Sequence, residues 1–231
     1  MKRKLLIICL VAMVSLPCTT LKGQMNFGFK LGPSLGWVGS TTTAGSPNGA
    51  RVGLNFGVFT DQYFNDNLAL SIGVNYDFVR MSYNFTDRRL VPNFLEESNV
   101  MVNREFKGSY IEVPLKMKGK FEVVESLNLY GEAGVGIAVN LGAKGKDNYS
   151  YYGINYEDAT YQDYSYEYNL FQGSLHFGIG ADYEISSGLS VFAQLSYRHA
   201  LWNTFNQTLY KATNSSLRHN FIGLEFGILL L

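Results

Sequence analysis

Apolar and polar residues alternate at every second position in segment after segment of this chain, which is the period of a β-strand with one face in an apolar medium. Phe27, Phe29, Leu31, Leu35 and Trp37 share one parity, against Asn26, Gly28, Lys30, Gly32 and Ser34 on the other. Val52, Leu54, Phe56 and Val58 stand against Arg51, Gly53, Asn55 and Gly57, and Leu68, Leu70, Ile72, Val74 and Tyr76 against Ala69, Ser71, Gly73, Asn75 and Asp77. The pattern returns in Ile111–Met117, Leu129–Val139, Leu175–Tyr183, Leu189–Tyr197 and Ile222–Ile228. That predicts about eight strands, and no stretch of helical period competes with them. Near Val79 the parity slips, which predicts a bulge.

Connections alternate in length. Those near Phe64–Asn67, Glu122–Ser126 and Ser186–Gly188 are short, whereas Gly39–Ala50, Phe85–Lys107, Gly142–Tyr168 and Asn203–Leu217 are long. An antiparallel up-and-down transmembrane β-barrel has this rhythm, with tight periplasmic turns and long outer loops. The N-terminus agrees. Lys2, Arg3 and Lys4 precede an apolar run from Leu5 to Leu16 and a weakly polar stretch to Gly23. This is the order of a secretory signal, and the run is too short for a spanning helix. Residues 1–23 are therefore expected to be removed, leaving 24–231 as one barrel domain. Acylation at Cys18 is disfavoured by Pro17, which stands where a small flexible residue is needed before the cut.

Both cysteines, Cys9 and Cys18, fall in the signal, so the mature chain has no thiol. A closed strand ladder in lipid, where every backbone donor must be paired, supplies rigidity without disulfides. Removal of the signal takes four of nineteen basic residues and none of nineteen acidic ones, which leaves a net charge of −4 and argues against nucleic acid as a partner. With 16 Tyr, 16 Phe, 24 Gly and only 5 Pro, the composition favours strands.

The polar face decides the solvent. A soluble barrel of similar size would turn its apolar face inward and its other face to water, and that face should be rich in long charged side chains. Here it is rich in Gly, Ser, Asn and Ala, which suit a crowded lumen. The apolar face ends in Trp37, Tyr76, Phe78, Phe121, Tyr183 and Tyr197, where interfacial girdles lie. The lumen is then expected to hold a structural polar network of Lys30, Arg51, Asn55, Asp77, Glu112, Lys116, Lys118, Glu132, His176, Asp182, Arg198 and Glu225, with Lys120 and Glu184 nearer the ends. Eight strands leave an interior that side chains fill. A plugged lumen is favoured over a narrow ion path.

An enzyme would need a nucleophile, a base and an acid. His176 shares a face with Ser174, and Glu132 is the expected neighbouring acid, but that face is the packed lumen and lipid has no route to it. His199 is expected to face lipid near the outer rim, with Ser196 on the other face. No phosphate loop, metal spacing or nucleotide fingerprint appears, so no catalytic residue, cofactor or metal site is assigned. The stretch Gly142–Tyr168 carries Tyr151, Tyr152, Tyr156, Tyr161 and Tyr164, which either contact a partner or simply extend a strand pair beyond the membrane. Arg88 and Arg89 either meet lipopolysaccharide phosphates or are solvated charges.

The segments FGFKLGPSLG, VGLNFGVFTDQYFNDNLALSIGVNY, SYIEVPLKMKGKF and HFGIGADYEISSGLSVFAQLSYRHAL resemble the PorT-like outer-membrane β-barrel family of Bacteroidota. The most specific element is Tyr110–Phe121, similar to that family's aromatic-leucine-glutamate-isoleucine-proline-leucine strand. Pro114 removes one ladder donor, a defect expected at a bulge or an opened pair. The resemblance implies an integral outer-membrane protein, and the family's namesake takes part in type IX secretion of proteases. The chain ends Ile228–Leu231 rather than on an aromatic residue, so recognition by the assembly machinery would rest on Phe226 and its apolar neighbours. Expected partners are outer-membrane lipid and lipopolysaccharide, the barrel-assembly machinery during insertion, and envelope or secretion proteins. The readings that follow are a structural or binding barrel, an accessory barrel in secretion, and a minor pore or lipid-modifying enzyme.

Overall fold

A computed structural model describes residues 24–40, 45–158, 160–204 and 217–231. The expected signal, residues 1–23, and most of the last long connection, residues 205–216, lie outside the described residues. The strands are β1 (Met25–Ser40), β2 (Gly45–Asn65), β3 (Leu68–Val91), β4 (Glu96–Val124), β5 (Leu127–Tyr151), β6 (Ile154–Glu157), β7 (Gln162–Asp163), β8 (Phe171–Ser186), β9 (Leu189–Ala200) and β10 (Leu217–Leu230). Eight of them close into an antiparallel ring in the order β1-β2-β3-β4-β5-β8-β9-β10, with β10 returning to β1. Closure is what lipid demands, since it leaves no unpaired strand edge in the hydrocarbon.

Parity runs as the alternation predicts. Phe27, Phe29, Leu31, Leu35, Val52, Leu54, Phe56, Val58, Val135, Ile137, Phe177, Ile179, Leu195, Ile222, Leu224 and Phe226 face outward and stay exposed, while the polar parity is buried inside. At one end, two-residue turns join Asn65 to Leu68, Val124 to Leu127 and Ser186 to Leu189. Gln24 and Leu231 lie at this end too, the periplasmic end in barrels of this architecture.

The other end differs from the expectation of long loops. The ladder between β3 and β4 runs unbroken from Asn75↔Glu112 to Val91↔Glu96, and β5 continues beside β4 to the Val102↔Tyr149 pair. β6 and β7 then occupy the side of β5 that β8 has left. With about 9–11 residues needed to cross a bilayer, the 29 residues of β4 carry the wall far beyond it.

The slip at Val79 is not a bulge in β3. Its register with β4 is continuous there, and the irregularities lie in β2, between Pro47 and Ala50 and between Ala50 and Leu54. Asp77, Val79, Met81, Tyr83 and Phe85 all keep inward parity and are buried. The alternation of polar and apolar residues lapses here because the interior itself becomes apolar at this height.

The proline expectation holds as an opened pair. β3 and β4 pair at Ile72↔Leu115 and again at Asn75↔Glu112 in the same register, with no pairing between them, while Pro114 stays opposite Gly136 on β5. Pro33 does the same on the β10 side, where pairing lapses between Leu31↔Phe226 and Ser34↔Gly223. Beside it, a Cβ on Gly32 would lie 2.0 Å from the Leu224 carbonyl oxygen, so only glycine lets the two backbones approach.

Candidate functional site

The lumen is built in tiers. Nearest the short turns, Phe59, Tyr130, Phe192 and Leu229 form a small apolar cluster, with the Phe59 and Phe192 rings edge to face at 5.7 Å. Beside it the Lys118 ammonium donates to Asp61 at 2.7 Å, and the Asn128 amide donates to Asp182 at 3.0 Å. The next tier converges on Glu225. Its carboxylate accepts from Lys30 at 2.9 Å, Asn55 at 2.8 Å, Ser196 at 3.0 Å and Gln194 at 3.1 Å. The Gln194 amide also donates to Glu132 at 2.8 Å, and Glu132 accepts from Lys116 at 2.6 Å. These contacts tie β1, β2, β4, β5, β9 and β10 together across the barrel axis.

One tier further, Arg198 of β9 grips Asp77 of β3 with two hydrogen bonds of 2.6 and 2.9 Å and also contacts Glu112 of β4. Ser174 donates to Glu112 at 2.6 Å, and His176 Nε2 lies 3.0 Å from both Ser174 Oγ and Glu112 Oε1. The acid beside Ser174 and His176 is thus Glu112, not Glu132. β5 lies between them, but Gly136 has no side chain there, and a Cβ at Gly136 would fall 2.6–2.7 Å from all three groups. Serine and acid meet the same ring nitrogen, so the histidine cannot relay a proton from one to the other as a catalytic triad requires. The voids in these tiers are about 20 Å³ each, the scale of one water.

Above the charges the interior is aromatic and aliphatic. Val38, Val79, Met81, Tyr83, Phe85, Val100, Val102, Phe106, Tyr110, Tyr168, Leu217 and Phe221 pack as one buried cluster, and the hydroxyls of Tyr83 and Tyr168 meet at 2.9 Å. Alternation alone could not reveal this tier, because its residues are apolar on the face expected to be polar.

A second polar knot closes the far end, where the outer wall has become charged. The Arg104 guanidinium, 2% exposed, is bidentate to Asp147 at 2.5 and 2.7 Å and donates to Glu167 at 2.6 Å. Arg89 donates to the same Asp147 at 2.5 Å, and the Tyr164 ring lies 3.8 Å from the Arg104 guanidinium. Burial pushes the Asp147 carboxyl up, but the hydrogen bonds and charges of Arg104 and Arg89 outweigh it and hold the group below the usual aspartate range.

Of the twelve residues assigned to the lumen by parity, eleven lie there. Arg51 does not: its side chain is 42% exposed and its Nε is 3.6 Å from Glu105 on the outer wall. The irregular pairing of β2 at this height removes the simple parity used to place it. Asp61 was missed, although counting on from Asn55 and Gly57 turns it inward. Arg104, Asp147 and Glu167 were missed because they lie in stretches taken for loops. His199 is outward as expected, with Nδ1 2.6 Å from the Asn220 side-chain oxygen.

The five loop tyrosines largely hold the extension together. Tyr151 donates to Glu96 at 2.7 Å, Tyr156 stacks on Tyr149 at 5.1 Å, Tyr161 donates to Glu105 at 2.6 Å, and Tyr164 covers Arg104. Tyr152 differs: it is 80% exposed at a backbone φ of 46°, beside Phe94 and near Leu95, which has φ 52°. Arg88 and Arg89 are already paired, Arg88 with Glu97 at 2.8 Å and Arg89 with Asp87 and Asp147.

No curated protein sequence matches the chain. Among solved structures it is similar to Neisserial surface protein A, with 11% identity over 88% of this chain and 96% of that one and a TM-score of 0.44. It is also similar to the attachment invasion locus protein Ail of Yersinia pestis, with 17% identity, coverage of 91% and 100%, and a TM-score of 0.36. The outer membrane protein OprG of Pseudomonas aeruginosa follows with 10% identity, coverage of 90% and 96%, and a TM-score of 0.39. Residues 18–206 match the family model described as outer membrane protein beta-barrel domain, so the chain belongs to that family and is an outer-membrane β-barrel.

Proposed function

We propose that this barrel is a non-conducting, non-catalytic anchor that holds a rigid extension of β3, β4 and β5 outside the cell for contact with a protein or glycan. The observation that carries this reading is the lumen, where lysines and arginines meet carboxylates tier by tier and the voids are about 20 Å³. Such an interior braces the wall, and ions would have to break buried pairs to pass. The exposed cluster of Phe94, Leu95, Tyr152 and Ile154 at the tip of the extension is the contact surface in this reading. Apolar side chains held at positive φ in solvent are costly to keep without a use.

Planar-bilayer recording tests the lumen. Pure protein is expected to give no steady conductance, and a persistent open level from single insertions would overturn the plugged reading. A second reading, an accessory barrel in type IX secretion, is supported by the resemblance of the Tyr110–Phe121 strand to PorT-like proteins. A tagged chain recovered from outer membranes should then carry secretion components with it, and recovery without them counts against that role. Lipid, lipopolysaccharide and the assembly machinery belong to either reading.

A further inference from the structure

Three cations stand abreast on the outer wall. Arg80 of β3 is in register with Lys107 of β4, and Lys107 with Lys144 of β5. Like charges directly opposite across a strand pair repel, and here the repulsion occurs across two successive pairs. None of the three makes an ion pair among the described residues. Lys107 sits 3.5 Å over the Tyr161 ring, which orders it without neutralising it. Two carboxylates lie nearby: Glu105 meets Arg51 and the Tyr161 hydroxyl, and Asp163 of β7, which accepts the Ser165 backbone N–H at 2.9 Å, stands in register with Lys144 at one end of the row. Arg80 and Lys107 therefore lack the ion-paired carboxylate that Arg88 and Arg89 have, and the three cations outnumber the one carboxylate in register with them.

The same residues rim a groove of about 1180 Å³ on the outside of the barrel. Val52, Leu54, Tyr76 and Phe78 line it on the membrane side, and Asp163, Ser165 and Tyr166 on the other. Its apolar side is continuous with the lipid-facing belt, and its cations lie two residue pairs beyond Phe78, where the apolar outer face ends. An occupant of both halves needs hydrocarbon chains and an anionic head at the level where the hydrocarbon stops. Two strand spacings make the row ~10 Å long, wide enough for more than one phosphate.

We propose that this groove binds a phosphorylated lipid of the outer leaflet, its phosphates spanning Arg80, Lys107 and Lys144 and its acyl chains lying along Leu54, Tyr76 and Phe78. Charge-assisted hydrogen bonds to phosphate oxygens would replace the mutual repulsion of the three side chains. The site is independent of whether the lumen conducts or the tip binds a partner.

Native mass spectrometry of the full barrel released from detergent tests it, with bisphosphorylated lipid A, its monophosphorylated form and phosphatidylcholine as probes. Retention is expected to fall in that order. The triple variant Arg80→Gln/Lys107→Gln/Lys144→Gln should lose lipid A binding by at least about tenfold. Arg88→Gln, whose cation is already paired, should change it by less than about twofold. Millimolar inorganic phosphate should not displace the lipid, and displacement would overturn the assignment to a lipid. Thermal unfolding gives a readout of opposite sign: without anionic lipid the triple variant should melt higher than the parent, and added lipid A should raise the melting point of the parent alone. Equal lipid A retention by the parent and a triple variant that still shows a heat-dependent shift on a gel would overturn the proposal, as would equal retention of phosphatidylcholine.

Discussion

Asp147 shows how much one buried carboxylate can carry. It accepts from two guanidiniums, one of them almost wholly buried. Asp147→Asn takes the bidentate carboxylate from Arg104, and breaking a buried pair from one side costs on the order of 3 kcal/mol. The expected outcome is faster hydrogen exchange in the outer halves of β4 and β5 with the membrane-embedded ladder unchanged. The pH dependence follows from the lowered carboxyl. Stability from this group is fully present above the ordinary aspartate value of 3.8 and is lost as pH falls through the lower folded value. Acid titration from pH 5 to 2 should loosen the extension in the parent, and Asp147→Asn should flatten that response. Within the lumen, Glu225→Leu strands Lys30, and Lys30→Met strands Glu225. Urea unfolding in lipid should find the double variant less destabilised than the sum of the singles, since the isolated charge is the main cost. Parity in the sequence places both of these residues, as well as Arg198, His176 and Glu112, in the lumen. It could not say which carboxylate meets which cation. That depends on strand register and on gaps such as Gly136, which brings Ser174 and His176 to Glu112 rather than to Glu132.

At the scale of strands, the membrane-crossing parts were legible because two solvents impose two faces. Beyond the bilayer that contrast disappears. From Thr86 to Met101 polar and aliphatic residues follow no strict alternation, and from Lys144 to Tyr151 both faces carry polar or aromatic residues, so the segments read as loops although the ladder continues on both sides of the turn and through β5. The hairpin formed by β3 and β4 should then be separable from the barrel. Phe85 and Val102 are partners in register, so replacing residues 86–101 with Asn-Gly gives a two-residue connection of the type that matches strand twist. The shortened chain is expected to insert and to keep its heat-dependent gel shift, while losing any partner recovered through the Phe94 and Tyr152 tip. Failure to insert would show that the extension is needed to close the ring. A finer device is visible at Pro33 and Pro114, where pairing lapses without a change of register. Gly32→Ala at the first of these places a methyl against the Leu224 carbonyl, and its expected effect is slower refolding into vesicles and a lowered unfolding midpoint, of order 1–3 kcal/mol.

The whole molecule is organised by the direction in which it is turned inside out relative to a soluble barrel: its charges are paired within, and its hydrocarbon faces lipid. This makes the depth of the apolar belt measurable by substitution. Ile179 of β8 pairs with Leu195 of β9, which pairs with Leu224 of β10, a row of outward apolar residues in the middle of the wall. Arg at Ile179 or Leu195 should destabilise the protein in lipid by about 2–4 kcal/mol, falling to about 0–1 kcal/mol near the interface. Arg at Ser109, two residue pairs below the cationic row, should therefore cost little. The ratio of these penalties, from unfolding titrations in vesicles, places the membrane boundary independently of any lipid-binding assay. If Ser109→Arg costs as much as Ile179→Arg, the row of Arg80, Lys107 and Lys144 lies too deep to meet a headgroup. If both cost nothing, the outer face is not in hydrocarbon. A steep fall between the two puts the cations at the phosphate level and leaves the knot around Asp147 clear of the bilayer.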